Sequence, residues 1–356
     1  MKSTTKLDFT GQIIYTGLDV HKKNWSVSIH TKDFEHKTFS QPPDPQVLVS
    51  YLKRTFPDAT YQCVYEAGYC GFWIHDALCK EGIECIVINP ADVPTTNKER
   101  KQKRDKVDCR KLARSLKNGD LISIYVPSRA NLEDRMLMRT RVKLIENRTR
   151  CKNRIKAVLS YYGINIPEEM DTGKWSKRFI QWLRSIDFEQ ETGRLALDTF
   201  LSELAGLEKI LKTITDKIKL MSKTDRYADR VRNLKTIPGI GLVIAMTILT
   251  EIEDINRFKK IDQLCSFIGL VPNVYASSDT EHIGAMTKRG NNWLKTMIIE
   301  SAWIAVKKDP SLLLYYQQLT KRMKSSKAIV RVARKLVNRM RYVLKNNQPY
   351  IQAISV

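Results

Sequence analysis

The chain contains no C-x-x-C pair, although it has seven cysteines: Cys63, Cys70, Cys79, Cys85, Cys109, Cys151 and Cys265. An odd number without paired spacing argues against both a disulfide framework and a zinc knuckle. The thiols are expected to be reduced, mostly in the core, as in a cytoplasmic protein. Long apolar runs are also lacking. The most apolar stretch, LVIAMTILT, is far too short to cross a bilayer. The opening MKSTTKLDFTGQ has no apolar signal core, so export is not expected. Acids are scarce too: 38 Asp and Glu stand against 61 Lys and Arg, a formal charge of +23 in 356 residues. That excess, with a pI near 9.7, points to a polyanion partner whose counterions are released on binding. A nucleic acid fits this better than a membrane surface.

Against that basic background four acids stand out: Asp19, Glu66, Asp105 and Asp108. Asp19 ends the apolar run IIYTGLD and Glu66 follows YQCVY, so both are expected at strand ends. Asp105 and Asp108 lie three apart in KRDKVDCRKLA, the expected start of a helix, and positions i and i+3 share a helix face. Two strand-end carboxylates facing a helical pair suit Mg²⁺ and phosphate chemistry. Hard divalent cations take oxygen ligands, and paired metals clamp the attacking and leaving oxygens of a phosphodiester. Singly, each acid has a plain structural explanation: a turn aspartate, a helix cap, or first-turn acids favoured by the helix dipole. Nine Lys and Arg between Lys98 and Arg114 surround the second pair. A solvated face would explain the cations but not the two acids embedded among them.

Strands are expected at 13–19, 25–31, KTFS, 61–66 and 84–88, with helices at 44–55, 70–81 and from Asp105 to about Lys117. LISIYVP (121–127) reads as a last strand. Alternating strands and helices predict an α/β domain over 1–128. From about Ser128 the texture becomes helical. One long charged helix runs to YYG, GINIPEE breaks it, and a second apolar stripe follows from Leu195 to Met221. This predicts a helical or coiled-coil arm over 129–228, either packed on itself or pairing between chains.

The remainder, 229–356, is expected to be mainly α. LKTIPGIGLVIAMTILTEI has the form of a helix-hairpin-helix, whose turn amides and second helix N-terminus can face a phosphate; a Gly-Pro connection without a ligand is the alternative. FIGLVPNVYASSDTEHIGAMTKRGNNWLKTMI is a loop-rich stretch with Ser277, Ser278 and His282, followed by Lys288 and Arg289. A serine attacks phosphorus when its proton is removed and the developing charge is met by cations. Residue types alone make such a Ser-Ser pair an ordinary loop. The terminal KRMKSSKAIVRVARKLVNRMRYVLKNN is an amphipathic helix with Ile329, Val332, Leu336, Met340 and Val343 on its apolar side. Arg331, Arg334, Lys335, Arg339 and Arg341 lie off it, available to nucleic acid.

GLDVHKKNWSV, YEAGYCGFWIHDAL, ECIVINP and K-x-D-x-x-D-C-R-K-L-A resemble the DEDD-type transposases of the "one-ten" insertion-sequence family, which includes Piv-like DNA invertases. IPGIG…FIGLVP…YASS…IG…TKRGN resembles that family's second signature, and the order of blocks matches over nearly the whole chain. The resemblance implies a ribonuclease-H-like, RuvC-like N-terminal domain with Asp19, Glu66, Asp105 and Asp108 as Mg²⁺ ligands. It also implies a C-terminal serine that joins covalently to DNA. Aligned on GLVP and Tyr275 that serine is Ser277; Ser278 replaces the glycine that usually follows, and is the alternative nucleophile. A structured noncoding guide RNA is a further implied partner, alongside the DNA of element ends and target. The absence of a G-x-x-x-x-G-K-[S/T] loop argues against the ATPases of the same fold class.

The function expected is therefore DNA transposition or site-specific recombination. A homodimer or homotetramer is expected, in the bacterial cytoplasm at the nucleoid and with no membrane partner. Two alternatives remain at this stage: a Mg²⁺-dependent structure-selective endonuclease resembling a Holliday-junction resolvase, and a non-catalytic nucleic-acid-binding protein.

Overall fold

A computed structural model describes residues 8–94, 105–277, 280–287 and 290–352; the side chains at 105, 106, 273–283 and 285 also fall outside what it describes. Contacts divide the chain into two compact units, residues 1–126 and 127–356.

In the first unit, β1 (Ile13–Val20), β2 (Trp25–His30), β3 (Glu35–Gln41), β4 (Thr60–Glu66) and β5 (Glu84–Ile88) form one sheet in the order β3-β2-β1-β4-β5. The first three strands are antiparallel neighbours, whereas β4 runs parallel to β1 and β5 parallel to β4. Helices α1 (Pro45–Thr55) and α2 (Trp73–Lys80) cover one face. Asp44 starts α1 by accepting the Gln46 amide, and Pro45 occupies the first turn, where no amide is needed. Ile14, Leu18, Val27, Ile29, Leu48, Leu52, Ile74 and Leu78 fill the layer between, all fully buried. Each contributes roughly 1.5–3 kcal/mol of apolar burial. On the opposite face lies α3 (Asp105–Asn118), with Leu112 packed against Val64 and Ile88.

The expected strand at 121–127 does not form. This segment meets β5 at a single bridge, Ile88 with Ser123, and leaves Ile122 84% exposed. Ile124 N donates to the Val87 carbonyl at 2.7 Å, and Ile124 and Val126 pack against the sheet core without extending the ladder. Helix α2 begins at Trp73, later than its sequence suggests, because Gly71 takes φ +62° in a turn whose carbonyl accepts the Tyr65 hydroxyl.

The second unit opens with α4 (Arg129–Tyr161), 33 residues and about 50 Å long. Ser128 caps it by accepting the Asn131 amide. Helices α5 (Lys177–Arg184) and α6 (Glu191–Met221) follow. Arg141 meets Thr215, Lys152 meets Glu208 and Arg154 meets Glu203, so α4 and α6 pack antiparallel within one chain. The stripe of α6 is largely used there: Leu197, Leu201, Leu204, Leu211 and Ile218 are buried.

Helices α7 (Ala228–Leu234) and α8 (Leu242–Ile252) flank the PGIG turn, and α9 (Ile261–Ile268) comes next. The loop-rich stretch expected after them is instead a β-hairpin, β6 (Pro272–Ser277) with β7 (Thr280–Met286). Its strands, PNVYAS and TEHIGAM, mix polar and apolar residues without a clear alternation. Helices α10 (Asn292–Lys308), α11 (Pro310–Thr320) and α12 (Ser325–Asn346) complete the core. No helix among the described residues is long and apolar enough to cross a membrane.

Candidate active site

The position that organises the first unit is Gly17 on β1. A Cβ there would stand 2.2 Å from the Cys109 carbonyl oxygen and 2.5 Å from the Ala113 amide nitrogen. Only glycine lets α3 lie this close on the strand. Side chains alternate along a strand, so Asp19, two residues on, shares the face that Gly17 presents to α3. The parallel register of β1 and β4 runs from Ile13–Thr60 to Leu18–Tyr65. One step further along it, Asp19 stands beside Glu66, and neighbours in register share a face. Two of the four acids are thus paired at the carboxyl ends of adjacent parallel strands.

Helix α3 brings the other two in sequence. Asp105 is its first residue, and Asp108 immediately precedes the Cys109 that covers Gly17. Burial first, and then the Asp19 charge, push the Cys109 thiol up to about 12, which marks Asp19 as its electrostatic neighbour. Asp108 accepts from the Lys111 ammonium at 3.3 Å, and Lys111 is itself buried. Arg110 fixes the same helix to β3, its Nε donating to Glu35 Oε1 at 2.7 Å and to Thr38 Oγ1 at 3.0 Å. Burial raises the Glu35 pKa, but the Thr38 hydroxyl and Arg110 outweigh it and hold the carboxyl below its ordinary range.

Around Asp19, His21 Nε2 lies 3.2 Å from Oδ2, and the Tyr69 hydroxyl donates to the Val20 carbonyl at 3.2 Å. Lys22 sits over the Tyr69 ring, 5.9 Å from its centroid. His21 and Tyr69 were not singled out from the sequence, and Lys111, one of the nine cations of the basic run, was not expected to pair with Asp108. The signal for His21 was its place two residues beyond Asp19 in the turn, where its ring can return to the carboxylate.

Asp19, Glu66 and Asp108 offer only carboxylate oxygens, donors of the kind that hard divalent cations take. Among the described residues no three His, Cys, Asp or Glu side chains form a group able to hold a metal; the Asp105 side chain lies outside those residues. The basic residues from Lys98 to Arg104, expected to lie over the acids, are outside them too.

In the second unit Ser277 is the last residue of β6 and pairs with Thr280, so it stands at the hairpin tip. Its side chain, like Ser278, Lys288 and Arg289, lies outside the described residues. His282 pairs in register with Tyr275, two steps back from the Ser277–Thr280 pair. The hairpin base is held by Thr287 N donating to Val271 O at 3.0 Å and Asn291 N donating to Phe267 O at 3.0 Å. Asn291 also caps α10 by accepting the Leu294 amide at 3.0 Å, and its Nδ2 donates to Glu251 Oε2 at 2.9 Å. Glu251, only 1% exposed, in turn accepts from Arg139 of α4. A buried acid on α8 thereby links α4 to Asn291, the cap of α10. Sequence reading missed it, since a lone Glu in an apolar run carries no distinguishing pattern.

Two segments expected to meet nucleic acid also have partners within the fold. Gly239 of the PGIG turn, at φ +88°, backs onto the Ser301 carbonyl, 2.3 Å from where a Cβ would lie. That close packing on α10 requires a glycine at this position. On α12, Arg334 donates to Leu270 O and Asp262, Arg339 to Asp309 and Ser311, and Arg341 to Lys259 O. These three cations brace the fold, because backbone carbonyls and a buried acid lie within their reach. The five apolar positions of the helix are buried as expected.

An acid-bearing mixed α/β sheet followed by a mainly helical unit fits a DEDD transposase, and comparison with known proteins supplies the family. A DEDD transposase profile of the IS110 type matches residues 16–164, and a profile described as transposase IS116/IS110/IS902 family matches residues 231–317. "Putative transposase y4rJ" of Sinorhizobium fredii is 31% identical over 310 residues, covering 80% of this chain and 76% of its own. The transposase for insertion sequence element IS1111A of Coxiella burnetii is 26% identical over 263 residues, covering 71% of this chain and 69% of its own. Of another S. fredii relative, "Putative transposase y4qE", 29% identical, the chain spans 58% of the length. The chain belongs to the IS110/IS116/IS902 family of transposases.

Proposed function

We propose that the chain cuts and rejoins DNA at the ends of an insertion sequence, using the acids of the first unit and a serine of the second. The observation that carries this is the register of Asp19 beside Glu66 under the amino-terminal end of α3. The mixed sheet with acids at the ends of adjacent parallel strands supports a ribonuclease-H-like, RuvC-like reading of residues 1–128. Residues 129–228 would serve as the arm and 229–356 as the serine-bearing domain.

Asp19, Glu66, Asp105 and Asp108 would hold Mg²⁺, which when bound neutralises charge on the scissile phosphate. Lys111 limits the charge that Asp108 adds to this cluster. The Ser277 oxygen bonds to phosphorus as one phosphorus–sugar oxygen bond breaks; the serine proton is released and the departing sugar oxygen takes one up. The phosphodiester survives as a phosphoserine ester, so attack by a sugar hydroxyl of another strand can rejoin DNA without outside energy. Ser278 is the alternative nucleophile. A structured RNA would choose the DNA partners, and strand exchange between two duplexes calls for a homodimer or homotetramer.

The test is cleavage of labelled element-end DNA with and without Mg²⁺. Asp19→Asn and Asp108→Asn should each lower cutting by at least about a hundredfold, the scale on which losing one electrostatic stabiliser acts, while DNA binding persists. Cutting that persists in both variants would refute the assignment of the acids. Cutting at the normal rate by Ser277→Ala and Ser278→Ala would instead indicate a water-using endonuclease.

A further inference from the structure

The arm carries cations that the catalytic reading does not use. Between α4 and α6 lies a groove of about 370 Å³ lined by Arg141, Arg148, Lys212 and Lys219, with Ile145 and Leu211 among its apolar lining. Two acids line it as well, but Asp216 pairs with Lys219 at 2.8 Å, and Glu208 pairs with Lys152 at 3.7 Å. Among the described residues no carboxylate pairs with Arg141 or Arg148. Arg141 Nε donates to the Thr215 hydroxyl at 3.1 Å, a neutral partner. Arg148 Nε is buried with no hydrogen-bond partner among the described residues.

These guanidiniums also act on one another. Burial first, then the Arg148 charge, lowers the Arg141 pKa, and the same two causes in the same order lower that of Lys152. Arg148 therefore stands in a row of cations on one face of α4 without a counter-charge of its own. Packing like charges together while leaving a buried donor unmade opposes folding. An oxyanion in the groove would relieve both costs, and guanidinium geometry suits phosphate.

We propose that this groove seats a backbone phosphate of a nucleic acid, gripped by Arg141 and Arg148 from one helix and Lys212 from the other. None of its lining residues is a catalytic acid or serine of the proposed function, and binding can be measured without cutting. Failure here would leave the catalytic account untouched.

The experiment uses the full-length protein. Fluorescence polarisation with a labelled DNA duplex and a labelled RNA hairpin is measured across a salt series, and melting is followed with and without inorganic phosphate. Arg148→Gln is compared with Lys217→Gln, an exposed cation on α6 outside the groove. Arg148→Gln should weaken binding of at least one nucleic acid about tenfold at moderate salt and reduce the salt slope by about one. It should also raise the melting temperature, because repulsion within the groove is removed. Arg148→Lys should recover part of the affinity, and Lys217→Gln should change binding far less. Equal losses in Arg148→Gln and Lys217→Gln would reduce the groove to general surface charge and overturn the proposal. Stabilisation by inorganic phosphate with unchanged nucleic-acid binding would make it a free-phosphate site, which also overturns it. A change in oligomeric state with unchanged affinity would assign the groove to a second copy of the chain and count equally against it.

Discussion

Gly17 lies directly beneath the Cys109 carbonyl, so close that a Cβ at position 17 would come within 2.2 Å of that oxygen. This approach sets the height of α3 above β1, and with it the place of Asp108 relative to Asp19 and Glu66. Gly17→Ala must push backbone against backbone, with no flexible side chain to yield. Overpacking of this kind costs about 1–3 kcal/mol. The expected result is a lower melting temperature together with a loss of Mg²⁺-dependent cutting larger than that shift explains. A variant that melts and cuts like the parent would show that α3 does not depend on this contact.

Glu251 accepts from Arg139 Nε at 2.7 Å and Nη2 at 2.8 Å, while Asn291 Nδ2 holds its Oε2 at 2.9 Å. Removing charge from a buried acid in such a cluster leaves a guanidinium poorly matched. Arg139 is half exposed, so water recovers part of the loss. Glu251→Gln should cost about 2 kcal/mol in denaturant unfolding. A double-mutant cycle with Arg139→Met should show coupling. Additive losses in that cycle would mean that the two residues act separately.

Asp309 should give the second unit an acid-sensitive stability. It caps α11, accepting the Leu312 amide at 3.1 Å, and also accepts from Arg339 at 2.6 Å and Tyr350 at 2.7 Å. Burial raises its pKa, but the Tyr350, Ser311 and Leu312 hydrogen bonds and the Arg339 charge prevail and lower it. A depressed carboxyl stabilises the fold fully above its unfolded pKa, about 3.9. That contribution is lost as pH falls through the lower folded value. Unfolding free energy measured from pH 6 downward should therefore decline below about pH 4. Asp309→Asn should be less stable near neutrality and lack that part of the decline. Parallel pH curves for parent and variant would contradict this assignment.

The first unit was legible because its elements obey short-range rules: apolar runs closed by acids mark strands, and 44–55 and 105–117 carry helical patterns. The paired placement of Asp19 and Glu66 was anticipated at strand ends, although only the parallel register puts them side by side. The β6–β7 hairpin was not legible, since neither of its strands carries an apolar alternation that stands out. The partners of the α12 cations within the fold were hidden for a different reason. Helical spacing says which side of a helix is apolar, but not that Asp309, Asp262 and the Lys259 carbonyl wait within reach of the other. Glu251 and the groove at Arg148 depend on contacts more than a hundred and about sixty residues apart in sequence respectively, which no local pattern encodes.

The central claim is that acids on one unit and a serine on the other form a single DNA-joining activity. Covalent trapping tests it most directly. Full-length protein, with RNA co-purified from its native locus, is incubated with Mg²⁺ and labelled element-junction DNA. The mixture is resolved on a denaturing gel, and the adduct is digested for mass spectrometry. The account predicts a protein–DNA adduct mapping to Ser277, lost in Ser277→Ala and in Asp108→Asn. Cleaved DNA with no adduct, or an adduct indifferent to Asp108→Asn, would contradict it.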